Sequence, residues 1–110
     1  MINYVRNQAP AEEVAALVRN LGRRAITYRA NVGKVEDIQR LFDTIEAEFH
    51  GLDILVSNAA SGFNRPVMQQ KETGWDHTLN VNASSLVFAA QRAVPLMKIR
   101  GGGNIIAISS

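Results

Sequence analysis

The chain has 110 residues, of which 46% are hydrophobic, and this length suits one small globular domain. Its 12 basic and 10 acidic residues are scattered and give a net charge of +2, which argues against a nucleic-acid-binding surface. The absence of cysteine excludes disulfides and thiolate metal sites and agrees with a reducing, cytoplasmic environment. No apolar run is long enough to span a bilayer, and His50 and His77 lack the spacing of a metal motif.

The first third of the chain predicts a strand, a helix and a second strand. The first strand spans residues 2–5, and Pro10 is suited to the start of the helix that follows. Gly22 ends this helix, and residues 25–30 form the next strand. The apolar residues of the helix fall on one face, which consists of Val14, Leu17, Val18 and Leu21.

The rest of the chain continues this alternation. A second helix ends near residues 50–51, and a third strand covers residues 54–56, an aliphatic run typical of a strand buried on both faces. Residues 61–71 show no period and form a loop, residues 75–98 are largely helical, and a fourth strand spans 104–108. The second helix is expected to bury Val35, Ile38, Leu41, Phe42, Ile45 and Phe49.

Strands that alternate with helices over short links predict an α/β fold with a doubly wound parallel sheet. We expect one four-stranded sheet with the strands in the order second, first, third, fourth. The three glycines at 101–103 follow a helix and precede a strand, whereas a phosphate-binding glycine loop follows a strand and opens a helix. They are therefore expected to end the long helix.

Small and amide residues follow the third predicted strand, at the edge where open parallel sheets bind ligands. Asn58 can fix the loop or a ligand through hydrogen bonds. The small side chains of Ala59 and Ala60 allow a flat ligand to lie against the backbone. This stretch is therefore a candidate binding site.

Two further positions carry polar side chains that a purely structural role explains less well. Asn82 lies inside a helical stretch, where its amide competes for backbone groups, although a simple exposed or interhelical hydrogen bond would also account for it. Ser109 and Ser110 end the last strand, and a serine pair there is by itself typical of a turn.

Three segments, in this order, resemble the short-chain dehydrogenase/reductase family. They are Ser-Asn-Ala-Ala at 57–60, Asn-Val-Asn-Ala at 80–83 and Gly-Gly-Gly-Asn-Ile-Ile-Ala-Ile-Ser-Ser at 101–110. The family usually has Asn-Asn-Ala-Gly in the first segment, so Ser57 and Ala60 depart from it while conserving size. The resemblance implies that residues 1–110 form a partial, Rossmann-like NAD(P)-binding domain.

The resemblance also implies catalytic roles for two residues. Asn82 would perturb its helix and help to hold a water that relays protons to a catalytic lysine. Ser110 would hydrogen-bond the substrate carbonyl and the catalytic tyrosine. Substrate contacts are further expected from Ser61 and Gly62, which follow the first of the three segments.

The cofactor implied by the resemblance is NADPH. Arg6 follows the first strand, where an arginine suits a ribose 2′-phosphate and an acid would suit the 2′-hydroxyl, although a lone arginine could also be a solvated loop residue. Asn31 and Val32 stand where the family has Asp-Val against the adenine, and a turn residue is the alternative for Asn31. The remaining cofactor contacts are assigned to Asn58, Ala59 and Ala60.

Finer features resemble the NADPH-dependent enoyl-[acyl-carrier-protein] reductases within this family. These features are Ile2-Asn3-Tyr4-x-Arg6, residues 30–33 (Ala-Asn-Val-Gly) and residues 65–68 (Arg-Pro-Val-Met). The implied reaction is hydride transfer to a trans-2-enoyl thioester carried by acyl carrier protein, in an enzyme that is a homo-oligomer. The alternatives are a related reductase of 3-oxoacyl thioesters, sugars or steroids, and a catalytically silent remnant or subunit-association module.

The resemblance covers only the interior of a family member. The family's first strand, its Gly-rich turn and its catalytic tyrosine and lysine have no counterpart in the 110 residues, and Tyr4 and Tyr28 lie within or beside early strands. Without the family's first strand, two central strands would be left with unpaired edges. We therefore expect the 110-residue chain by itself to be inactive.

Overall fold

The computed structural model describes residues 1–109, and they form two compact units. Unit 1 spans Met1–Asn31, and unit 2 begins at Val32. Each unit combines helices with a pair of parallel strands, so the predicted α/β class and the parallel direction of the strands are confirmed. No helix within residues 1–109 is both long enough and apolar enough to cross a membrane.

Unit 1 contains strand β1 (Ile2–Tyr4), helix α1 (Gln8–Asn20) and strand β2 (Thr27–Arg29). The strands are parallel, with Tyr4 opposite Arg29 in the register. Each strand has three residues and is therefore shorter than the sequence predicts. The pairing continues beyond the strands, because the amide of Ala30 donates to the carbonyl of Tyr4 at 3.0 Å.

The buried face of α1 consists of small residues. Ala11 and Ala15, one helical turn apart, are 8% and 0% exposed, whereas Val14, Leu17 and Leu21 are 48%, 64% and 80% exposed. The apolar face predicted from the larger residues is therefore not the face that unit 1 buries. Alanine allows the helix backbone to come close to the two short strands, which a face of valine and leucine would prevent.

Glu12 and Arg19 join α1 to the second strand of unit 1. The Thr27 hydroxyl donates to Oε1 of Glu12, and Nη1 of Arg19 lies 3.3 Å from Oε2 of the same carboxylate. Nε of Arg19 donates to the carbonyl of Ala25 at 3.0 Å. The hydrogen bond from Thr27 is the main cause, with Arg19 contributing less, that lowers the pKa of Glu12 from its ordinary value.

Unit 2 begins with helix α2 (Val35–Phe49) and strand β3 (Ile54–Ser57). A loop with a short 3₁₀ turn at Val67–Gln69 leads to helix α3 (Glu72–Leu79). One π-helical turn, Asn80–Ser84, joins α3 to helix α4 (Ser85–Ile99), and strand β4 (Asn104–Ala107) follows. The long helix predicted over 75–98 is therefore present, begins three residues earlier and contains an unwound turn.

The core of unit 2 lies between α2 and α4. As predicted, α2 buries Ile38, Leu41, Phe42 and Ile45, but Val35 is 36% exposed and Phe49 only half-buried, because they lie at the ends of the helix. The opposing residues from α4 are Ala93, Leu96 and Met97. At the rim of this interface Nη2 of Arg92 donates to Oδ1 of Asp43 at 2.5 Å.

The strands form two two-stranded sheets rather than one sheet of four. β1 pairs with β2, and β3 pairs with β4, each in parallel. The predicted neighbours within each pair are confirmed, but the predicted pairing of the first strand with the third is wrong for the described residues. The backbone hydrogen bonds of each unit are satisfied between its own two strands.

The β3–β4 sheet is also more exposed than its composition predicts. Ile54 and Val56 are 55% and 53% exposed, while Leu55 and Ser57 are half-buried, so β3 alternates between a solvent face and a face toward α4. The prediction of a strand buried on both faces is therefore wrong for this structure, because unit 2 covers only one side of the pair.

The glycine run ends α4, as predicted. Gly101 and Gly102 have φ values of +88° and +139°, and the Gly102 amide donates to the carbonyl of Met97 at 3.0 Å. At Gly103 the backbone passes so close to its neighbours that an added Cβ would lie 2.6 Å from Cγ of Met97 and 2.7 Å from the carbonyl oxygen of Asp53. The last glycine is thus required by close approach.

Replacing Gly103 should therefore destabilise unit 2. We expect Gly103→Ala to lower the free energy of unfolding by about 1–3 kcal/mol, because the Asp53 carbonyl is backbone and cannot move aside cheaply. The measurement is urea denaturation followed by circular dichroism. Gly74→Ala is the matched control, since its Cβ would meet the Phe63 ring at an ordinary 3.5 Å. Equal stabilities of the two variants would contradict the close approach.

The Glu12 interactions predict a pH dependence of stability. The pKa of Glu12 is lower in the folded chain than its ordinary value of 4.5, so the folded state binds fewer protons than the unfolded state in this range. Its contribution is present above pH 4.5 and is lost as the pH falls through the lowered pKa. We expect the melting temperatures of wild type and Glu12→Gln to converge below pH 4.5, and Glu13→Gln to follow wild type. A constant difference between wild type and Glu12→Gln would contradict the role of the Glu12 carboxylate.

Candidate functional site

In unit 2, the side chain of Asn82 holds the backbone of Ser61 through two hydrogen bonds. The Ser61 amide donates to Oδ1 of Asn82 at 2.7 Å, and Nδ2 of Asn82 donates to the Ser61 carbonyl at 2.8 Å. Both polar groups of one residue are thus paired with both polar groups of one amide side chain. The loop after β3 is thereby fixed to the helical segment 21 residues further along the chain.

Asn82 is the central residue of the π-helical turn Asn80–Ser84. Val81 and Ser85 flank it on the buried side, and the Ser85 hydroxyl donates to the Val81 carbonyl at 2.6 Å. The expectation that this asparagine perturbs its helix agrees with the unwound turn. A π turn widens the helix by one residue and is frequently found at functional sites.

The residues between β3 and Ser61 form an exposed strip of small side chains. Asn58, Ala59 and Ala60 are all exposed, and they follow the point where the Ile108 amide donates to the Ser57 carbonyl at 3.0 Å. Gly62 has no atom within 4 Å of the position of an added Cβ. An accessible, flat stretch of backbone therefore begins at the carboxyl end of β3, as the sequence predicts.

Beyond Gly62 the loop packs on α3 through one aromatic ring. The Phe63 ring lies 6.4 Å from the His77 ring, and the Arg65 guanidinium lies 5.5 Å from the centre of the Phe63 ring. Nε2 of Gln70 donates to the Arg65 carbonyl at 2.8 Å. These contacts order the far side of the loop whose near side is held by Asn82.

In unit 1, Arg6 and Asn31 lie where the sequence predicts, just beyond the carboxyl ends of β1 and β2. Arg6 is exposed in a bend, and no carboxylate of residues 1–109 forms an ion pair with it. Asn31 is half-buried and has a polar partner within the described residues. Val32, the next predicted cofactor residue, is half-buried at the start of unit 2.

Two residues at this edge of unit 1 escaped the sequence analysis. Nδ2 of Asn3 donates to the carbonyls of Tyr28 and Ala30 at 3.2 and 3.0 Å, which ties β1 to β2. Nε of Arg29 donates to the Val5 carbonyl at 3.1 Å. The only sequence signal for Asn3 is an amide inside an apolar strand, and Arg29 gives none beyond its place at the end of a strand.

Residue by residue, the predicted set divides between the two units. Arg6 and Asn31 belong to unit 1, and the residues after β3 together with Asn82 belong to unit 2. Ser110 lies outside the described residues. Within residues 1–109 no three acidic or histidine side chains converge as ligands for a metal ion.

A model of the short-chain dehydrogenase family ("short chain dehydrogenase") matches residues 1–110. The chain is 34% identical over 110 residues to "Hydroxynaphthalene reductase-like protein Arp2" of Metarhizium anisopliae, and it spans 40% of that protein's length. A short-chain dehydrogenase from Burkholderia cenocepacia, solved with NADP, superposes with a TM-score of 0.88 at 31% identity, over 99% of this chain and 44% of that one. L-sorbose reductase of Gluconobacter frateurii, solved with NADPH and L-sorbose, gives 0.86 at 28%, over 96% and 40%.

The chain therefore belongs to the short-chain dehydrogenase/reductase family, and its Rossmann-like fold is shared with these solved structures. The family resemblance read from the sequence is confirmed. The narrower assignment to the enoyl reductases is not supported, because the relatives carry the names of other reductases.

The Asn82–Ser61 pair predicts a local change in amide protection. We expect Asn82→Ala to remove the protection of the Ser61 amide in hydrogen exchange followed by NMR and to cost about 1–2 kcal/mol of stability, because two hydrogen bonds are lost. Asn80→Ala changes the same residue type in the same π turn and should leave Ser61 protected. Protection of Ser61 that survives in Asn82→Ala would contradict the pairing.

Proposed function

We propose that the protein is an NADPH-dependent reductase that acts on a ketone carbonyl. The observation that carries this proposal is the Asn82–Ser61 pair, which fixes the small-residue loop beyond β3 at an unwound helical turn. A fixed, accessible strip of backbone at the carboxyl end of a parallel strand suits a flat ring. Family membership supplies the reaction class, which is the transfer of a hydride.

The donors of each unit fit the part of NADPH that they are proposed to bind. Arg6 offers a guanidinium to the ribose 2′-phosphate, and no acid follows β1 that would accept from a 2′-hydroxyl instead. The amide of Asn31 and the side chain of Val32 are assigned to the adenine. The strip at the end of β3 is assigned to the rest of the cofactor, through Asn58, Ala59 and Ala60. When bound, NADPH supplies the hydride.

The chain's own residues then have limited and definite tasks. The Ser61 amide and carbonyl are both used by Asn82, so Ser61 can reach a substrate only through its hydroxyl. Oδ1 of Asn82 keeps a second lone pair and Nδ2 a second hydrogen, which suffices to hold a water at this exposed position. Gly62 adds no side chain, which leaves room for a substrate beside the loop.

The choice of a ketone over an enoyl thioester is supported by the relatives. One is named as hydroxynaphthalene reductase-like, and solved neighbours include L-sorbose reductase and an NADPH-dependent 3-quinuclidinone reductase. The motifs around Arg6, Asn31 and Arg65 still favour a second candidate, a trans-2-enoyl thioester carried by acyl carrier protein. Formation of a homo-oligomer stays a prediction of the family resemblance.

A substrate panel separates these candidates. The protein, expressed from its complete gene, is mixed with NADPH and with a bicyclic aryl ketone, L-sorbose, a 3-oxoacyl thioester or crotonyl thioester, and NADPH absorbance is followed. We expect turnover of at least one carbonyl substrate and none of crotonyl thioester. Turnover of crotonyl thioester alone would replace the proposal by the second candidate. NADH in place of NADPH should support a slower reaction, because it lacks the phosphate that Arg6 is proposed to bind.

The 110-residue chain alone is the control in the same assay. We expect no turnover from it, because Tyr4 and Tyr28 lie on the strands of unit 1 and neither is near the Asn82 loop in sequence. A proton donor for the reduced carbonyl is therefore absent from the described part of that loop. Turnover that is lost on Asn82→Ala would show the chain to be an enzyme by itself.

A further inference from the structure

The charge of the chain is unevenly distributed between its two units. Unit 1 contains five arginines and only two glutamates, whereas the rest of the chain carries seven basic and eight acidic residues. The net charge of +2 therefore arises entirely from unit 1. An excess of guanidinium groups on a 31-residue unit favours the binding of an anion.

Two of these arginines lie at the carboxyl edge of the β1–β2 sheet. Arg29 ends β2, and its Nε donates to the Val5 carbonyl at 3.1 Å. That carbonyl belongs to the peptide whose nitrogen is the Arg6 amide. Arg29 therefore fixes the peptide from which the Arg6 side chain departs, and both guanidinium groups start from the same bend.

The framework that carries the two arginines is tied down on both strands. Asn3 donates to the carbonyls of Tyr28 and Ala30, and the Ala30 amide donates to the Tyr4 carbonyl. The spacing between the bend after β1 and the end of β2 is thereby fixed before any ligand arrives. A site whose donors are already in place avoids the entropic cost of ordering them on binding.

Neither guanidinium is neutralised within the described residues. Glu12, one of the two acids of unit 1, is held by Thr27 and Arg19, and neither Arg6 nor Arg29 forms an ion pair within residues 1–109. Arg29 uses one of its five N–H donors on Val5, and its Nη atoms have no acceptor there. Guanidinium groups bind phosphate through paired, charge-assisted hydrogen bonds.

We propose that Arg29 and Arg6 together form a phosphate-monoester site that takes the 2′-phosphate of NADP(H), with Arg29 both contacting the phosphate and orienting Arg6 through the Val5 carbonyl. This rests on the proposed function, and it assigns a residue that the sequence did not single out. The chemistry distinguishes a phosphate on the 2′-oxygen from a free phosphate by the ribose that accompanies it.

The test is a set of calorimetric titrations of the protein, expressed from its complete gene, with NADP⁺, NAD⁺, 2′,5′-ADP, 5′-AMP and inorganic phosphate. We expect Arg29→Met to weaken NADP⁺ and 2′,5′-ADP by about tenfold, the effect of losing one charge-assisted contact, and to change NAD⁺ and 5′-AMP by less than about twofold. Arg23→Met removes the same charge from the turn before β2 and should change none of the affinities. Inorganic phosphate should bind far more weakly than 2′,5′-ADP.

Two further variants separate the two tasks of Arg29 and protect the test against misfolding. Arg29→Lys keeps the charge and the stem but cannot bond the Val5 carbonyl and a phosphate in the same planar arrangement, so we expect a partial loss of NADP⁺ affinity with an unchanged circular dichroism spectrum. In an Arg6→Met background, Arg29→Met should still weaken NADP⁺. No further loss in that background would overturn the direct contact.

The remaining outcomes are distinct from a failure of the proposed function. If Arg29→Met and Arg23→Met bind NADP⁺ equally, or if inorganic phosphate binds as tightly as 2′,5′-ADP, the two-arginine site is wrong while NADPH-dependent reduction stands. If the wild-type protein binds NAD⁺ and NADP⁺ equally, the site is also wrong. If it binds neither, both the site and the proposed function are overturned.

Discussion

The arrangement of unit 2 depends on how one asparagine satisfies one peptide. A loop that leaves a strand has backbone groups with no sheet partner, and those of Ser61 are satisfied by the amide of Asn82. To offer that amide, the helix opens by one residue at Asn80–Ser84. The cost of asparagine in a helix and the cost of an irregular turn are thus offset by a loop held in one conformation. The candidate site consists of the residues on either side of this contact.

Unit 1 uses the same device at a different place. Its strands have three residues each, too few for backbone pairing alone to hold their ends. Asn3 spans both strands with one amide nitrogen, and Arg29 reaches the first residue beyond β1. Polar side chains therefore extend a sheet that the backbone leaves short. The same contacts set the direction of Arg6, which links the stability of unit 1 to the recognition of a phosphate.

Close backbone approach governs the return from α4 to β4. Gly51 is buried beneath the Arg100 side chain, whose Nη2 donates to the Phe49 carbonyl at the end of α2. Gly103 passes against Met97 and the Asp53 carbonyl, and the next amide, that of Asn104, donates to that same carbonyl at 2.9 Å. A side chain at either glycine would separate the helices from the strand pair. The register of β3 against β4 therefore begins at a glycine.

Local patterns in the sequence were sufficient for the order and class of the elements. The apolar period of α2 correctly predicted its central buried residues, and the glycine run correctly predicted the end of α4. The segment after β3, the asparagine of the long helix and the terminal serines were sufficient for the family. These features depend on neighbours within a few residues, so propensity, period and spacing determine them.

Only the tertiary structure decided which faces are covered and which distant groups meet. Alanines, not the larger apolar residues, are buried in α1, because the strands require a close helix. Ile54 and Val56 are exposed, because unit 2 covers one side of the β3–β4 pair. Asn82 was singled out from the sequence, but its partner Ser61 and the bond from Arg29 to Val5 were not. Such contacts join residues that are more than 20 positions apart, and no local pattern encodes them.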